Sequence, residues 1–211
     1  MRFIVFEFKP TINPLFPNLV YHTPFLTKDE CEMYIKELND VEKHSPDMQG
    51  NPYHTTDKLH LLNDSWKKLS DRVIEVINSV ADHQKIKRDS FYTTCMWANI
   101  SQVQEYFHKK HVHPNSFFSS IIYLRGNQSS STIFYDPRSQ SKVIQPDYSE
   151  INDFNSTAYH LPFIEGSLVI FPSWLPHSVS GNNNDNRQRI TISSNSMMHS
   201  EITSHTSYLK I

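Results

Sequence analysis

Three segments decide the fold: His111-Val112-His113-Pro114-Asn115-Ser116, then Phe171-Pro172-Ser173-Trp174-Leu175-Pro176-His177, then Arg189-Ile190-Thr191. In an extended backbone, side chains at i and i+2 point to the same side, so His111 and His113 can share one face. His177 follows an apolar segment whose two prolines restrict the backbone. Three such donors can hold one face of an iron ion and leave its other positions open. The sequence therefore predicts an iron centre formed by His111, His113 and His177.

Each piece of this pattern also has a plainer interpretation. An isolated His-x-His pair is more often a solvated strand edge than a metal site, and an isolated strand arginine is more often a surface cation. Arg189 and Thr191, however, share one face of a predicted strand. Together they could bind the distal carboxylate of a bound acid through a bidentate, charge-assisted contact.

Composition narrows the class of protein. The chain has 211 residues, with 20 Lys and Arg against 22 Asp and Glu, and the signs are interspersed. Such a surface does not favour nucleic acid or an anionic membrane. Four glycines almost exclude a glycine-rich phosphate loop. The cysteines, Cys31 and Cys95, are far apart and form no zinc motif, so we expect a reducing cytoplasm.

Length and hydropathy predict a single domain over residues 1–211 with no membrane span. Within it, strands and buttressing helices occupy 1–90, with a strand, a turn and a second strand before residue 25. Thr27 and Glu30 form a capping box that predicts a helix from Lys28 to Val41. An apolar stripe predicts a second helix from Asp64 to Asp82. The polar segment 44–59 is predicted to be a loop.

Short runs of β-branched and aromatic residues predict the rest of the chain to be strands. A jelly-roll core is expected over 91–198, with the polar insertion 138–160 as a candidate lid. The fold class is mainly β with flanking helices packed on an antiparallel sandwich or barrel. The predicted strands are Phe91–Ile100, His111–His113, Phe118–Leu124, Ser131–Tyr135, Ser167–Phe171, Ser178–Val179 and Arg189–Met197.

The order of these motifs resembles a known family. From about Cys95 to Met197, the pattern HxHPNS, then Tyr-Asp-Pro-Arg at 135–138, then FPSWLPH at 171–177, then Arg-x-Thr at 189–191 is similar to the 2-oxoglutarate- and iron(II)-dependent oxygenases of marine bacteria and their phages. The resemblance implies a double-stranded β-helix, the cupin-like jelly roll, with Fe(II) and 2-oxoglutarate as cofactors. It also implies hydroxylation of a substrate, with decarboxylation of 2-oxoglutarate to succinate.

The resemblance also implies roles for individual residues. His111 takes the position of the first histidine ligand and His177 that of the distal one, while His113 stands where the wider superfamily has Asp or Glu. Arg189 takes the position that pairs with the C5 carboxylate of 2-oxoglutarate, and Thr191 that of the serine in the Arg-x-Ser pattern.

Two further residues are candidates for the cosubstrate pocket. Tyr123 could add a phenol hydrogen bond to the same carboxylate. Asn99, in a Trp-x-Asn motif with Trp97, is the weaker candidate.

The substitution of His113 for a carboxylate leaves alternatives open. Asp136 is the reserve carboxylate ligand, although an Asp before Pro is more often a turn residue. His108 is expected in an exposed loop, at most behind the ligands. Trp174 is expected to pack in the core and keep the site dry.

Two rival functions follow. One is a three-histidine iron dioxygenase that does not use 2-oxoglutarate. The other is a cupin-like binding or structural module with a vestigial site or zinc. A small molecule or a protein side chain is the expected substrate, nucleic acid is less favoured, and a homodimer is an open expectation.

Overall fold

The computed structural model describes residues 11, 13, 15–44, 53–101, 106–127, 129–138, 143–144, 146–181, 188–203 and 207–210. The first strand predicted before residue 11 lies outside these residues, as do half of the predicted loop 44–59 and part of the insertion 138–160. The second strand predicted before residue 25 is present as β1, Tyr21–Pro24.

Antiparallel strands form three sheets. The large sheet has the order β1-β9-β6-β11-β4-β3-β2, the small sheet has the order β5-β10-β7-β8, and β12 pairs with β13. The strands after β1 are β2 Lys43–His44, β3 Tyr53–Thr55, β4 Ser90–Ser101, β5 Tyr106–His111, β6 Phe118–Arg125, β7 Ser131–Tyr135, β8 Ala158–Leu161, β9 Ser167–Pro172, β10 His177–Gly181, β11 Arg189–His199, β12 Glu201–Thr203 and β13 Tyr208–Lys210.

Two helices cover the outer face of the large sheet, as predicted. Helix α1, Lys28–Glu37, begins with the full capping box of Thr27 and Glu30 and continues into a 3-10 turn, Leu38–Asp40. Helix α2, Asp64–His83, is capped by Asn63, whose side chain accepts from the Trp66 backbone N–H. The buried stripe of α2 packs with α1 against the sheet in one apolar cluster.

The other face of the large sheet packs on the small sheet. Strand β6 contributes to both sides because its side chains alternate: Ile122 and Leu124 belong to the helix-side cluster, whereas Ile121 and Tyr123 belong to the cluster between the sheets. Both faces of this strand are therefore buried. Two facing antiparallel sheets with Greek-key order form the predicted double-stranded β-helix, and the second cluster closes one part of its interior.

Three boundaries differ from the predictions. Strand β5 ends at His111, so His113 lies beyond it rather than within a strand. Residues 158–160 of the predicted insertion belong to β8, which pairs with β7. Residues 53–55 of the predicted loop form β3, which pairs with β4. Short, mostly polar strands of this kind are held by their partners, which the local sequence does not reveal. Among the described residues, the model has no helix long and apolar enough to cross a membrane.

Candidate metal centre

A cavity lies between the two sheets, on the side not filled by the apolar cluster. Strand β11 supplies one wall, since Arg189, Thr191 and Ser193 all face the cavity while Ile190 and Ile192 face the helices. This alternation is the two-residue period of a strand. The candidate residues Arg189 and Thr191 therefore share the face that was predicted for them.

The three predicted histidines converge on the opposite wall. One ring nitrogen from each of His111, His113 and His177 lies within 4.8 Å of the others. His111 and His177 are directly opposite each other in the pairing of β5 with β10. His113 Nε2 lies 3.3 Å from His177 Nε2. Three imidazole donors at this separation fit a single divalent transition metal, for which imidazole is a suitable ligand.

Backbone carbonyls orient two of the three rings. His177 Nδ1 lies 3.0 Å from the Leu175 carbonyl oxygen, and His111 Nδ1 lies 2.7 Å from that of Lys109. A carbonyl oxygen only accepts, so Nδ1–H donates in both rings and the lone pair is left on Nε2. This arrangement fixes the tautomer and direction of a metal-binding imidazole.

His113 is placed by a contact outside regular strand structure. Its backbone N–H donates to the Ser173 carbonyl oxygen at 2.9 Å. The Ser173 hydroxyl is in turn hydrogen-bonded to those of Ser116 at 2.7 Å and Ser119 at 2.9 Å. This buried serine cluster joins the segment carrying His113 to the turn before His177. Sequence reasoning missed it, because three serines spread over 58 positions give no periodic signal.

Burial sets the charge of these imidazoles. Loss of solvent, followed by the charge of His111, lowers the pKa of His177 to about 3 and that of His113 to about 4. Both rings are therefore neutral at pH 7, the form in which an imidazole binds metal. These two donors are thus ready to bind metal near neutral pH without first losing protons.

Arg189 is buried at the same cavity, with 4% of its surface exposed. Its Nη1 lies 3.5 Å from Thr191 Oγ1. The guanidinium carbon lies 5.8 Å from the centre of the Tyr123 ring and 5.6 Å from that of Phe163. Aromatic faces stabilise a guanidinium and hold it in one orientation. The guanidinium therefore lies at the wall of the cavity, in a fixed orientation.

The other two cosubstrate candidates have different surroundings. Asn99 lines the cavity, where its amide donates to Ser193 Oγ at 3.0 Å and its carbonyl accepts from Trp97 Nε1 at 3.2 Å. The Tyr123 hydroxyl, in contrast, lies 2.7 Å from Thr132 Oγ1, and the side chain is fully buried. Its predicted contact with a carboxylate remains a prediction.

Two alternatives from the sequence do not fit the structure. Asp136 is not in the histidine cluster, because its carboxylate pairs with Arg138 at 2.9 and 3.0 Å. A role for Asp136 as reserve ligand is therefore not supported. Trp174 is 56% exposed, so the expectation that it packs in the core was wrong. The segment between the two prolines forms a tight turn, in which the Leu175 N–H donates to the Pro172 carbonyl. In this turn the indole of Trp174 lies at the surface.

His108 was expected in an exposed loop and instead lies on β5, facing the cavity. Its ring centre is 4.3 Å from that of His111. Burial, together with the charges of the surrounding imidazoles and Arg189, lowers the pKa of His108 to about 4. No periodicity in the sequence identifies this residue, since His108 and His111 are three positions apart in a strand.

The comparisons with known proteins agree with this geometry. Residues 95–195 match the family described as "Putative 2OG-Fe(II) oxygenase", and this segment contains every candidate site residue named above. No curated protein matches the sequence.

Three solved structures illustrate the similarity of fold. The alpha-ketoglutarate-dependent epimerase SnoN of nogalamycin biosynthesis has a TM-score of 0.65 at 13% identity, covering 86% of this chain and 78% of its own. HygX of Streptomyces hygroscopicus, with nickel and 2-oxoglutarate bound, has a TM-score of 0.59 at 12% identity, covering 92% of this chain and 92% of its own. A Pseudomonas putida prolyl-4-hydroxylase has a TM-score of 0.56 at 12% identity, covering 86% of this chain and 92% of its own.

At these identities the solved structures establish the double-stranded β-helix fold. The family match covers just under half of the chain, and the matched segment is the one that contains the histidine and arginine motifs. Together with the three-histidine cluster, they support the family of 2-oxoglutarate- and iron(II)-dependent oxygenases and indicate an enzyme of this class. The predicted fold class is therefore confirmed.

Proposed function

We propose that this protein is an Fe(II)- and 2-oxoglutarate-dependent oxygenase that hydroxylates a substrate while 2-oxoglutarate is converted to succinate and carbon dioxide. His111, His113 and His177 hold the metal, and Arg189 with Thr191 binds the C5 carboxylate of the cosubstrate. The observation that carries the proposal is the convergence of three imidazoles, two of them oriented by backbone carbonyls, opposite a buried arginine in one cavity.

The protein's own residues bind and orient. The three imidazoles would hold the metal from one side and leave its other positions open. Arg189 supplies two parallel N–H donors to a carboxylate, and the low exposure of this guanidinium strengthens that contact. Iron, when bound, supplies the activation of molecular oxygen and the oxidation of the substrate.

Related structures support a small-molecule substrate. HygX has been crystallised with nickel, 2-oxoglutarate and hygromycin B, and SnoN with Fe3+, alpha-ketoglutarate and nogalamycin RO. Both proteins thus bind an organic compound in addition to a metal and the cosubstrate. By analogy of fold alone, we extend this class of substrate to the present chain.

Anaerobic addition of Fe(II) and then 2-oxoglutarate to the metal-free protein tests the proposal. We expect the weak visible charge-transfer band of the chelate in wild type. Arg189→Ala should need on the order of 10- to 100-fold more 2-oxoglutarate, since hydrogen bonds to charged groups contribute about 1.5–3 kcal/mol. The control is Arg138→Ala, whose side chain is 65% exposed and pairs with Asp136, and it should behave as wild type. Bound Fe(II) without a band in wild type would overturn the proposal.

One observation favours a second function, a three-histidine iron dioxygenase without 2-oxoglutarate. Among the described residues that line the cavity there is no carboxylate, so the ligand set differs from the two-histidine, one-carboxylate set of the wider superfamily. Substitution of Arg189 distinguishes the two functions. If the enzyme consumes oxygen without 2-oxoglutarate and Arg189→Ala leaves that rate unchanged, the second function is correct.

A further inference from the structure

A β-bulge brings a fourth histidine into the cavity. In the pairing of β5 with β10, His111 is opposite His177 and His108 is opposite Val179, with a register shift between them. Strand β5 thus has two residues, Lys109 and Lys110, where β10 has one. In a regular strand, residues three apart face opposite sides, but the extra residue turns His108 to the same side as His111.

The bulge also serves the metal cluster directly. The carbonyl that orients His111 belongs to Lys109, within the bulge. Removing the extra residue would therefore change both the direction of His108 and the tautomer of His111. The local geometry places both rings with their centres 4.3 Å apart.

The connections between strands place His108 on the side of His111 that faces Arg189. Four residues separate the end of β4, Ser101, from the start of β5, Tyr106. Arg189 is paired with Ser101, so Arg189 lies at the end of the large sheet that connects to Tyr106. Along β5, His108 is closer than His111 to that end. His108 thus lies between the metal-binding histidines and Arg189.

A diacid that extends from the metal to Arg189 must pass beside His108. We infer that His108 is a cosubstrate-binding residue whose ring N–H donates a hydrogen bond to a carboxylate of 2-oxoglutarate. A neutral imidazole carries one N–H donor, and a carboxylate has lone pairs left after binding the metal or one arginine. The inference rests on the proposed function, because it requires 2-oxoglutarate in this cavity.

The same geometry separates His108 from the metal ligands. The group of donors that approach within 4.8 Å of one another consists of His111, His113 and His177 among the described residues. The ring centre of His108 lies 4.3 Å from that of His111 and 6.1 Å from that of His54. Substitution of His108 should therefore change cosubstrate affinity and leave metal affinity unchanged, whereas substitution of His111 should lower both.

Calorimetric titration of the Ni(II)-loaded protein with 2-oxoglutarate tests this inference, since nickel holds the cosubstrate without turnover. We expect His108→Ala to raise the dissociation constant on the order of 10- to 100-fold, the loss of one charge-assisted hydrogen bond. His108→Gln retains an N–H donor and should recover part of the affinity. Ni(II) affinity should stay within about threefold of wild type for both. His160→Gln, an exposed histidine on β8 of the same sheet, is the matched control and should match wild type.

A second measurement uses the wild-type protein, in case His108→Ala fails to fold. In the Zn(II)-loaded, nitrogen-15-labelled protein, 2-oxoglutarate should shift the ring N–H signal that is lost in His108→Gln. Unchanged 2-oxoglutarate affinity in a folded His108→Ala variant overturns the inference while the proposed function stands. A tenfold loss of Ni(II) affinity also overturns it, because His108 would then be a metal ligand. If wild type binds Ni(II) but no 2-oxoglutarate, the proposed function fails and the inference fails with it.

Discussion

The metal-free protein should lose stability as the pH falls from 7.5 to 5.0, and His177 should account for a measurable part of that loss. Burial, then the charge of His111, lowers the pKa of His177 from 6.5 to about 3. In the unfolded chain the imidazole returns to water and regains the higher pKa. Between these two values the unfolded state binds the proton and the folded state does not, so acid favours unfolding.

The size of the effect follows from the two pKa values. Above pH 6.5 both states are neutral and His177 contributes no pH dependence. A pH of 5.0 lies 1.5 units below the pKa of 6.5 in the unfolded chain, so the unfolded imidazole is protonated, while the folded imidazole is still unprotonated. One pKa unit corresponds to about 1.4 kcal/mol, so His177 alone should lower the free energy of unfolding by about 2 kcal/mol at pH 5.0.

Urea unfolding of chelator-treated protein at pH 7.5 and 5.0 measures this contribution. His177→Gln removes the titrating group, so its pH-dependent loss should be smaller than that of wild type by about 2 kcal/mol. His199→Gln, at an exposed position at the end of β11, should retain the wild-type pH dependence. The reasoning is refuted if wild type and His177→Gln lose the same stability over this interval.

Substitutions at four further positions test the frame and the ligand set. Gly166 has φ 81°, and a Cβ there would lie 2.3 Å from the Leu26 carbonyl oxygen, so Gly166→Ala should cost about 3 kcal/mol in urea unfolding. Gly126→Ala meets side-chain atoms, those of the Phe163 ring at 2.8 Å, rather than backbone, and needs no left-handed φ; it should cost less, and the reverse order would contradict this. Thr27→Ala should cost about 1 kcal/mol through loss of the helix cap, and no change in unfolding midpoint would speak against it. His113→Glu should retain Co(II) binding in a chelator competition. His113→Asp, whose side chain is shorter, should bind Co(II) at least about tenfold more weakly. Equal affinities would show that the length of the side chain at position 113 does not limit metal binding.

Local signals in the sequence were sufficient to predict the helices and to single out the three histidines that cluster at the cavity. The capping box of Thr27 depends on residues three positions apart, and the buried stripe of α2 repeats within one helix. The donors His111 and His113 are near neighbours, and the rigid turn before His177 is encoded by its own prolines. In each case the physical cause lies within about ten residues of the effect, so the pattern could be read without knowing the fold.

The features that were missed depend on pairing between distant residues. The direction of His108 follows from a bulge against β10, and β8 is a strand because β7 provides its hydrogen-bond partners. The exposure of Trp174 follows from the turn in which it lies, and an apolar side chain alone does not reveal its direction. Strand register and bulges are set by tertiary context, to which residue preferences are only weakly related.

The charge balance of the cavity links the three-histidine set to the choice of cosubstrate. Imidazole ligands carry no negative charge, so under the proposed function a divalent metal would keep its full charge, and Arg189, which is 4% exposed, is a second cation at the same cavity. The described residues that line the cavity include no carboxylate. In a poorly solvated space of this kind a dianion is favoured over a neutral ligand. Under the proposed function, 2-oxoglutarate would supply one carboxylate for the metal and one for Arg189. The replacement of a carboxylate ligand by His113 is therefore compatible with dependence on 2-oxoglutarate, because the cosubstrate provides the negative charge that the ligand set lacks.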